Sequence, residues 1–384
     1  MSEPTERLKL FILAGEPSGD RIAADLIRRL KLRVPLAFIG VGGRELADEG
    51  LLKSLFPMSD LAVMGISDVL LRLPLLLWRV EQTARAIRKA SPDIVVLVDA
   101  QDFSKLVAKR LKRLRYAGKL ILYVAPSVWA RAPQRAAKLK PLFEEVLAVL
   151  PFEPGVMARL DGPPTFYVGH PALSERLTRS AVDRGPLLLL PGSRAGELRR
   201  HLPLFQQLAE RVSGNPAVDG FIIPTLPALK ERIERVVADW PVPVQVVADR
   251  NARAAIYRDA VLAVVVSGTA TLELGLAQVP MVVSYVLDRP QARVFDKLGR
   301  PQVSLPNIVL GRAVVPELVQ ANPDIDAIVR EVQALLDSKK ARKDQIEAFG
   351  ELSNLMETGA EGHLRQDPAD RILAHWRQRA PGAS

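Results

Sequence analysis

A chain of 384 residues is longer than one hydrophobic core usually supports, so two domains are expected. Its 48% apolar residues exclude a disordered polymer, and its lack of cysteine excludes disulfides, thiolate metal sites and cysteine nucleophiles. The formal net charge of +10 favours anionic partners such as nucleic acid, phosphosugars or acidic lipid headgroups, without choosing among them.

The N-terminus has no signal-peptide pattern, so cytoplasmic residence is the expectation. The run LKLFILAG then begins a series of short apolar segments: LAFIGVGG, DIVVLVDA, KLILYVAPS, EVLAVLPF and TFYVGH. Segments this rich in Val, Ile and Leu suit strands buried on both faces of a parallel sheet. Helix-length stretches such as RIAADLIRRLKLR alternate with them, which gives a doubly wound α/β domain. After the first strand, AGEPSGD supplies backbone donors together with Glu16, Ser18 and Asp20, although Ser18 also fits a plain helix cap. Gly40, Gly42 and Gly43 do not make GxGxxG, because Glu45 stands where the third glycine belongs, and neither a Walker A loop nor GxSxG occurs. In Gly65 to Gln82, Val69, Leu70, Leu73, Leu76, Leu77 and Trp78 accompany Arg72 and Arg79, which suits either a helix lying in a bilayer interface or a core helix bent at Pro74. The uncharged apolar run Leu73 to Trp78 falls far short of the roughly 20 residues of a spanning helix. Asp99 and Asp102 follow the strand DIVVLV, at the edge where active residues of parallel sheets collect; a general base and a helix cap are both open readings.

The polar stretch ALSERLTRSAVDRGP reads as an interdomain linker, after which the alternation resumes with GPLLLLPGSR, VDGFIIPTLP, PVQVVADR, VLAVVVSGTA and VPMVVSYVL. The expected architecture is α/β, two Rossmann-like domains facing across a cleft: 1–172, with polar C-terminal helices from about 346 to 384 packing back, and 185–345. In LLLLPGSRAGE, a strand ends where a helix opens, so free amides, Ser193 and the guanidinium of Arg194 would grip a phosphate; the alternative is a serine cap beside a surface arginine. In VVVSGTATLE, Ser267, Gly268 and Thr269 form a small-residue turn, and Glu273 lies one helical turn on, able to accept from ribose hydroxyls. Ser304 to Asn307, SLPN, reads as turn chemistry. Asp324 and Asp326 make the chain's DxD, read as a cap because it follows Asn-Pro and precedes a helix. The four histidines show no HExxH or His-x-His spacing, so no metal or other cofactor is expected.

The ordered set AGEPSGD, LAVMGI, VDAQDF, YVAPSVWA, LPFE, GHP, LLPGSR, SGTATLE, PMVVSY and SLPN resembles the lipid A disaccharide synthases over nearly the whole chain. The resemblance implies a GT-B fold and an inverting transfer from UDP-2,3-diacylglucosamine to 2,3-diacylglucosamine 1-phosphate, lipid X, giving a β-1′,6 linkage and UDP. It also implies that Ser193, Arg194, Ser267, Thr269, Glu273 and Asn307 hold UDP, that Asp99 deprotonates the acceptor 6-hydroxyl, and that Glu16, Ser18, Asp20 and Asp102 lie on the acceptor side. Lipid substrates give the Gly65 to Gln82 segment a role at an anionic inner membrane surface. Gln101, Ser104, Arg131 and Val286 depart from the family pattern. A homodimer through the C-terminal helices is an open arrangement. The competing readings are another GT-B UDP-N-acetylglucosamine transferase or epimerase, and a basic nucleic-acid scaffold. The scaffold lacks the aromatic residues interleaved with Lys and Arg that it would need, so no nucleic-acid partner is expected.

Overall fold

The computed structural model describes residues 6–61, 66–130, 132–179, 181–249 and 252–378, apart from the side chains of 66–71 and 175. Two compact units emerge, one made of Met1–Pro171 with Met356–Ser384, the other of Ala172–Leu355.

The first unit holds β1 (Leu8–Ala14), β2 (Leu36–Val41), β3 (Ile94–Val98), β4 (Lys119–Tyr123), β5 (Glu145–Ala148) and β6 (Thr165–Tyr167), all parallel, in the order β2-β1-β3-β4-β5-β6. The five residues of β3 are buried throughout, because helices cover both faces. The chain runs outward from β1 to β2, then returns to place β3 on the other side of β1, so the winding reverses between β1 and β3.

The second unit repeats this plan with β7 (Gly185–Leu190), β8 (Val218–Pro224), β9 (Val244–Val247), β10 (Leu262–Val265), β11 (Met281–Val286) and β12 (Glu317–Gln320), in the order β12-β11-β10-β7-β8-β9. Its reversal falls between β7 and β10. The helix Ala195–Val212 packs on this sheet because Leu198, His201, Leu202, Phe205, Leu208 and Val212 recur at three- and four-residue spacing along one stripe.

At the amino-end edge of the first sheet, the helix Pro368–Arg377 docks onto its own unit. Trp376 Nε1 donates to Asp93 Oδ2 at 3.1 Å, and Arg371 Nη2 reaches the buried Glu145 carboxylate at 2.6 Å. The Arg371 guanidinium also lies 3.5 Å from the Phe166 ring centroid. Burial alone would raise the Glu145 pKa, but hydrogen bonds from His375 and Arg371 hold it below the usual carboxylate range.

Candidate functional site

In each sheet, ligands of doubly wound folds approach the carboxyl ends of the strands flanking the reversal. In the first unit those are the ends of β1 and β3, where AGEPSGD and VDAQD lie; in the second they are the ends of β7 and β10, where PGSRAGE and SGTATLE lie. Four separate sequence motifs therefore fall at the two topologically expected positions.

At the first edge, Gly15 is obligatory because a Cβ there would collide with the Ala100 side chain, and Gly19 packs against Asp99. Asp99 and Ala100 both take left-handed backbone conformations, φ 56° and 45°, which turn the half-buried Asp99 off the strand end. The turn is held by Asp99 N–H donating to Tyr123 O at 2.9 Å and Ser104 Oγ donating to Asp99 O at 2.9 Å. Gln101 Nε2 donates to Val124 O at 2.8 Å, so two of the family departures carry contacts that fix the aspartate turn. Glu16, Ser18 and Asp102 are exposed. Asp20 is not: its carboxylate accepts from Gly43 N–H at 2.8 Å and Glu45 N–H at 2.9 Å, closing off the start of the helix Arg44–Asp48. Asp20, read on the acceptor side, ties the helix after β1 to the segment after β2, with its pKa raised by burial against the opposing effect of those backbone bonds.

At the second edge, the Ser193 and Arg194 amides expected to stand open both donate to Glu197 Oε2, each at 3.1 Å. A carboxylate one turn into the helix is the group that orphan N-terminal amides attract. Gly192, at φ 93°, is required here because a Cβ would strike that carboxylate. The Arg194 side chain also pairs with Glu197 Oε1 at 3.2 Å yet stays 62% exposed. His201 continues the chain of contacts: Nδ1 meets Glu197 O at 2.8 Å and Nε2 accepts from Val286 N–H at 2.9 Å. That geometry requires a proton on Nδ1 alone, and burial lowers the pKa to favour the neutral ring.

Gly268, at φ 142°, and Thr269 are exposed where the helix Thr269–Leu276 begins. Ser267 Oγ donates to Val303 O at 2.9 Å, and Thr271 Oγ1 accepts from Leu305 N–H at 3.1 Å, so this turn leans on SLPN. Glu273 is half-buried, 3.5 Å from Arg253 Nη1. SLPN itself opens the helix Leu305–Leu310 rather than forming a turn, because Glu317 accepts from Val303 N–H, Ser304 N–H and Ser304 Oγ. Asn307 is only 1% exposed: Nδ2 donates to Val315 O and Glu317 Oε1, and Oδ1 accepts from Val314 and Val315 N–H. Its hydrogen-bonding capacity is used within the protein, where it braces the SLPN segment against Val315 and Glu317.

Sequence reasoning missed Glu197, His201, Glu317 and Glu153. Glu197 had a local signal, an acid three residues after a helix cap; Glu317 had none, since ten residues separate it from Asn307. Glu153 is buried and accepts from Val149 and Leu150 N–H at 3.2 and 3.0 Å. Burial pushes its pKa up to about 8, opposed by those amides and by the neighbouring Trp129.

The helix Ile66–Ala90 runs on through Pro74. Val69 and Leu70 have side chains outside the described residues, as does all of Arg131. Leu73, Leu77 and Trp78 are 40%, 50% and 55% exposed, whereas Leu76 is half-buried against the core. Arg79 is tied inward to Asp60 at 2.6 Å and stacks on Trp78 and Phe56, which corrects its reading as a flanking interfacial cation. No helix among the described residues is long and apolar enough to cross a membrane. Asp324 accepts from Ala327 N–H at 3.1 Å, the capping role read for the DxD. Among the described residues no cluster of three or more His, Asp or Glu is arranged to hold a metal ion.

Two parallel six-stranded sheets of this order give the chain the GT-B fold. Among solved structures the chain is similar to MurG from Acinetobacter baumannii, with TM-score 0.55 and 13% identity over 97% of this chain and all of that one. It is also similar to CalG4, the calicheamicin glycosyltransferase, with TM-score 0.60 and 16% identity over 99% of this chain and all of that one. Within that class, the family model for lipid-A-disaccharide synthetase matches residues 10–367. The lipid-A-disaccharide synthase of Rhodopseudomonas palustris strain HaA2 is 38% identical over 366 residues, 92% of this chain and 93% of that one. The chain belongs to the lipid-A-disaccharide synthase family, and is a glycosyltransferase of lipid A biosynthesis.

Proposed function

We propose that the second unit grips the UDP of a UDP-diacylglucosamine donor while the first unit activates the hydroxyl of lipid X, giving lipid A disaccharide 1-phosphate and UDP. The observation that carries this reading is the half-buried residue Asp99, turned off the end of β3 at one sheet's reversal, while Arg194 and the Gly268–Thr269 turn mark the other. Asp99 takes the proton of the acceptor 6-hydroxyl as its oxygen attacks the anomeric carbon from the face opposite the leaving group. The bond from that carbon to the pyrophosphate oxygen breaks, the configuration inverts, and UDP leaves with both electrons.

The largely exposed Arg194 guanidinium and the start of the helix Thr269–Leu276 meet the charge that develops on the pyrophosphate. Glu197 keeps the Ser193 and Arg194 amides, aligning the arginine from behind. Ser267 and Glu273 face the nucleoside. Glu16, Ser18 and Asp102 border the acceptor, and Leu73, Leu77 and Trp78 enter the inner membrane surface where both lipids reside.

Incubation with both acylated substrates in the presence of a chelator tests the reading. The expected products, followed by mass, are the disaccharide phosphate and equimolar UDP. Turnover of non-acylated sugars alone would count decisively against it.

A further inference from the structure

Beyond the carboxylates and strand-end turns, the first unit carries a cluster of cations that the reaction scheme does not use. The helix Gln101–Arg113 buries Phe103, Ser104, Val107, Ala108 and Leu111, which leaves Asp102, Lys105 and Lys109 on one outward stripe at i, i+3 and i+7. The segment after β4 buries Ala136 and Leu139 in the same core, turning Arg135 and Lys138, three residues apart, outward. Lys112 Nζ donates to Pro141 O at 2.7 Å, fastening the helix to that segment. Among the described residues no salt bridge engages Lys105, Lys109, Arg135 or Lys138. Lys105 is half-buried, and its pKa is lowered first by burial, then by Lys109, Lys138 and Arg135, with Asp102 the one opposing charge.

Lys105 is repelled by Lys109, Lys138 and Arg135, and a divalent anion bound among them relieves that cost. The ordered helix and the partly desolvated Lys105 distinguish this cluster from a scattering of mobile surface lysines. Asp102 begins the stripe, and Asp99 lies one turn before it on the same strand-to-helix connection. Lys105 lies four residues beyond Gln101, about 6 Å along the helix axis.

We propose that Lys105, Lys109, Arg135 and Lys138 form a phosphomonoester site beside Asp99, which holds the phosphate of the acceptor sugar while Asp99 addresses its hydroxyl. The assignment rests on the glycosyl-transfer reading for its substrate, although the site itself can be tested without turnover. It makes the cluster a specificity determinant: an acceptor bearing a phosphate binds in register, and one bearing a free hydroxyl does not.

The test compares the whole protein with K105Q/R135Q, the quadruple glutamine variant, and R113Q on the same helix as a control. Glucosamine 1-phosphate is titrated and followed by phosphorus NMR. Loss of charge-assisted hydrogen bonds is expected to weaken its binding about tenfold or more in K105Q/R135Q, with R113Q unchanged. In the assay, kcat/KM for the phosphorylated acceptor should fall by a similar factor, with the donor KM and the rate on an unphosphorylated acceptor little altered. A protein that makes no disaccharide while the cluster still binds phosphomonoester would sink the enzymatic reading and leave the site standing. Unchanged phosphomonoester binding in the quadruple variant would overturn the site. So would variants that lose only their affinity for phosphatidylglycerol vesicles, since the cations would then serve a lipid surface.

Discussion

The two carboxyl edges are built alike in topology and differently in finish. At the second edge the polar groups are turned on one another: Glu197 takes two amides, Glu317 takes three donors around Ser304, and Asn307 closes the same network. At the first edge Glu16, Ser18 and Asp102 point outward, Asp99 is held by its backbone, and the neighbouring cations have no carboxylate in salt-bridge range among the described residues. The lesson is that a rigid grip is built by satisfying the layer behind it, whereas a surface meant to receive an outside group keeps its charge unspent.

Asp99→Ala breaks that contrast most strongly. If the first edge supplies the base, turnover should fall about a thousandfold while UDP affinity stays within a factor of two. Calorimetric UDP titration beside the rate assay decides it, and weakened UDP binding with preserved turnover would move the aspartate to the donor side.

Glu317→Ala probes the other edge. Stripping the carboxylate leaves Val303 N–H, Ser304 and Asn307 Nδ2 without their acceptor, at a cost of about 3 kcal/mol. Denaturant unfolding should register that loss, with UDP binding reduced although the glutamate never touches the ligand. Full stability would mean that the network is ornamental.

A third distinction lies in pH. Glu153, with its pKa raised to about 8 in the fold, binds a proton that the unfolded chain releases near pH 4.5. Stability from this group is therefore greatest at low pH and is lost as pH rises through the folded value. Between pH 6 and 9 the loss should be about 3 kcal/mol. Glu153→Gln should flatten that slope in thermal melts, and an unaltered pH profile would show that the carboxyl is not protonated in the fold.

The smallest effect concerns the exposed apolar residues. Replacing Leu73, Leu77 and Trp78 by serine should weaken anionic vesicle binding about tenfold with little change in thermal stability, because these side chains are already largely exposed. A collapse of the fold would return the helix to a core role.

The sheets were legible because fully buried parallel strands leave continuous apolar runs such as DIVVLV, and both reversals could be reached by following motifs to strand ends. Finer contacts were less legible. Asp20 and Asn307 have the chemistry of ligand-binding residues, and nothing in their neighbouring letters reveals that Gly43, Glu45, Val314 and Val315 supply their partners. Such pairings join segments remote in sequence or depend on how a short helix closes on itself, so spacing carries no trace of them. Glu197 shows the opposite case: the acid stands one helical turn away, and it competes with any outside phosphate for the same two amides.

The return of the Pro368–Arg377 helix to the first unit has a consequence for biogenesis. Ribosomal synthesis delivers Ala172–Leu355 complete before the residues that neutralise Glu145 and cap Asp93 have emerged. The first unit must therefore wait for nearly the whole chain, whereas the second can fold during elongation. Released chains truncated after residue 358 should yield a protease-resistant second unit and a labile first one; equal resistance would mean that the tail arrives as an afterthought.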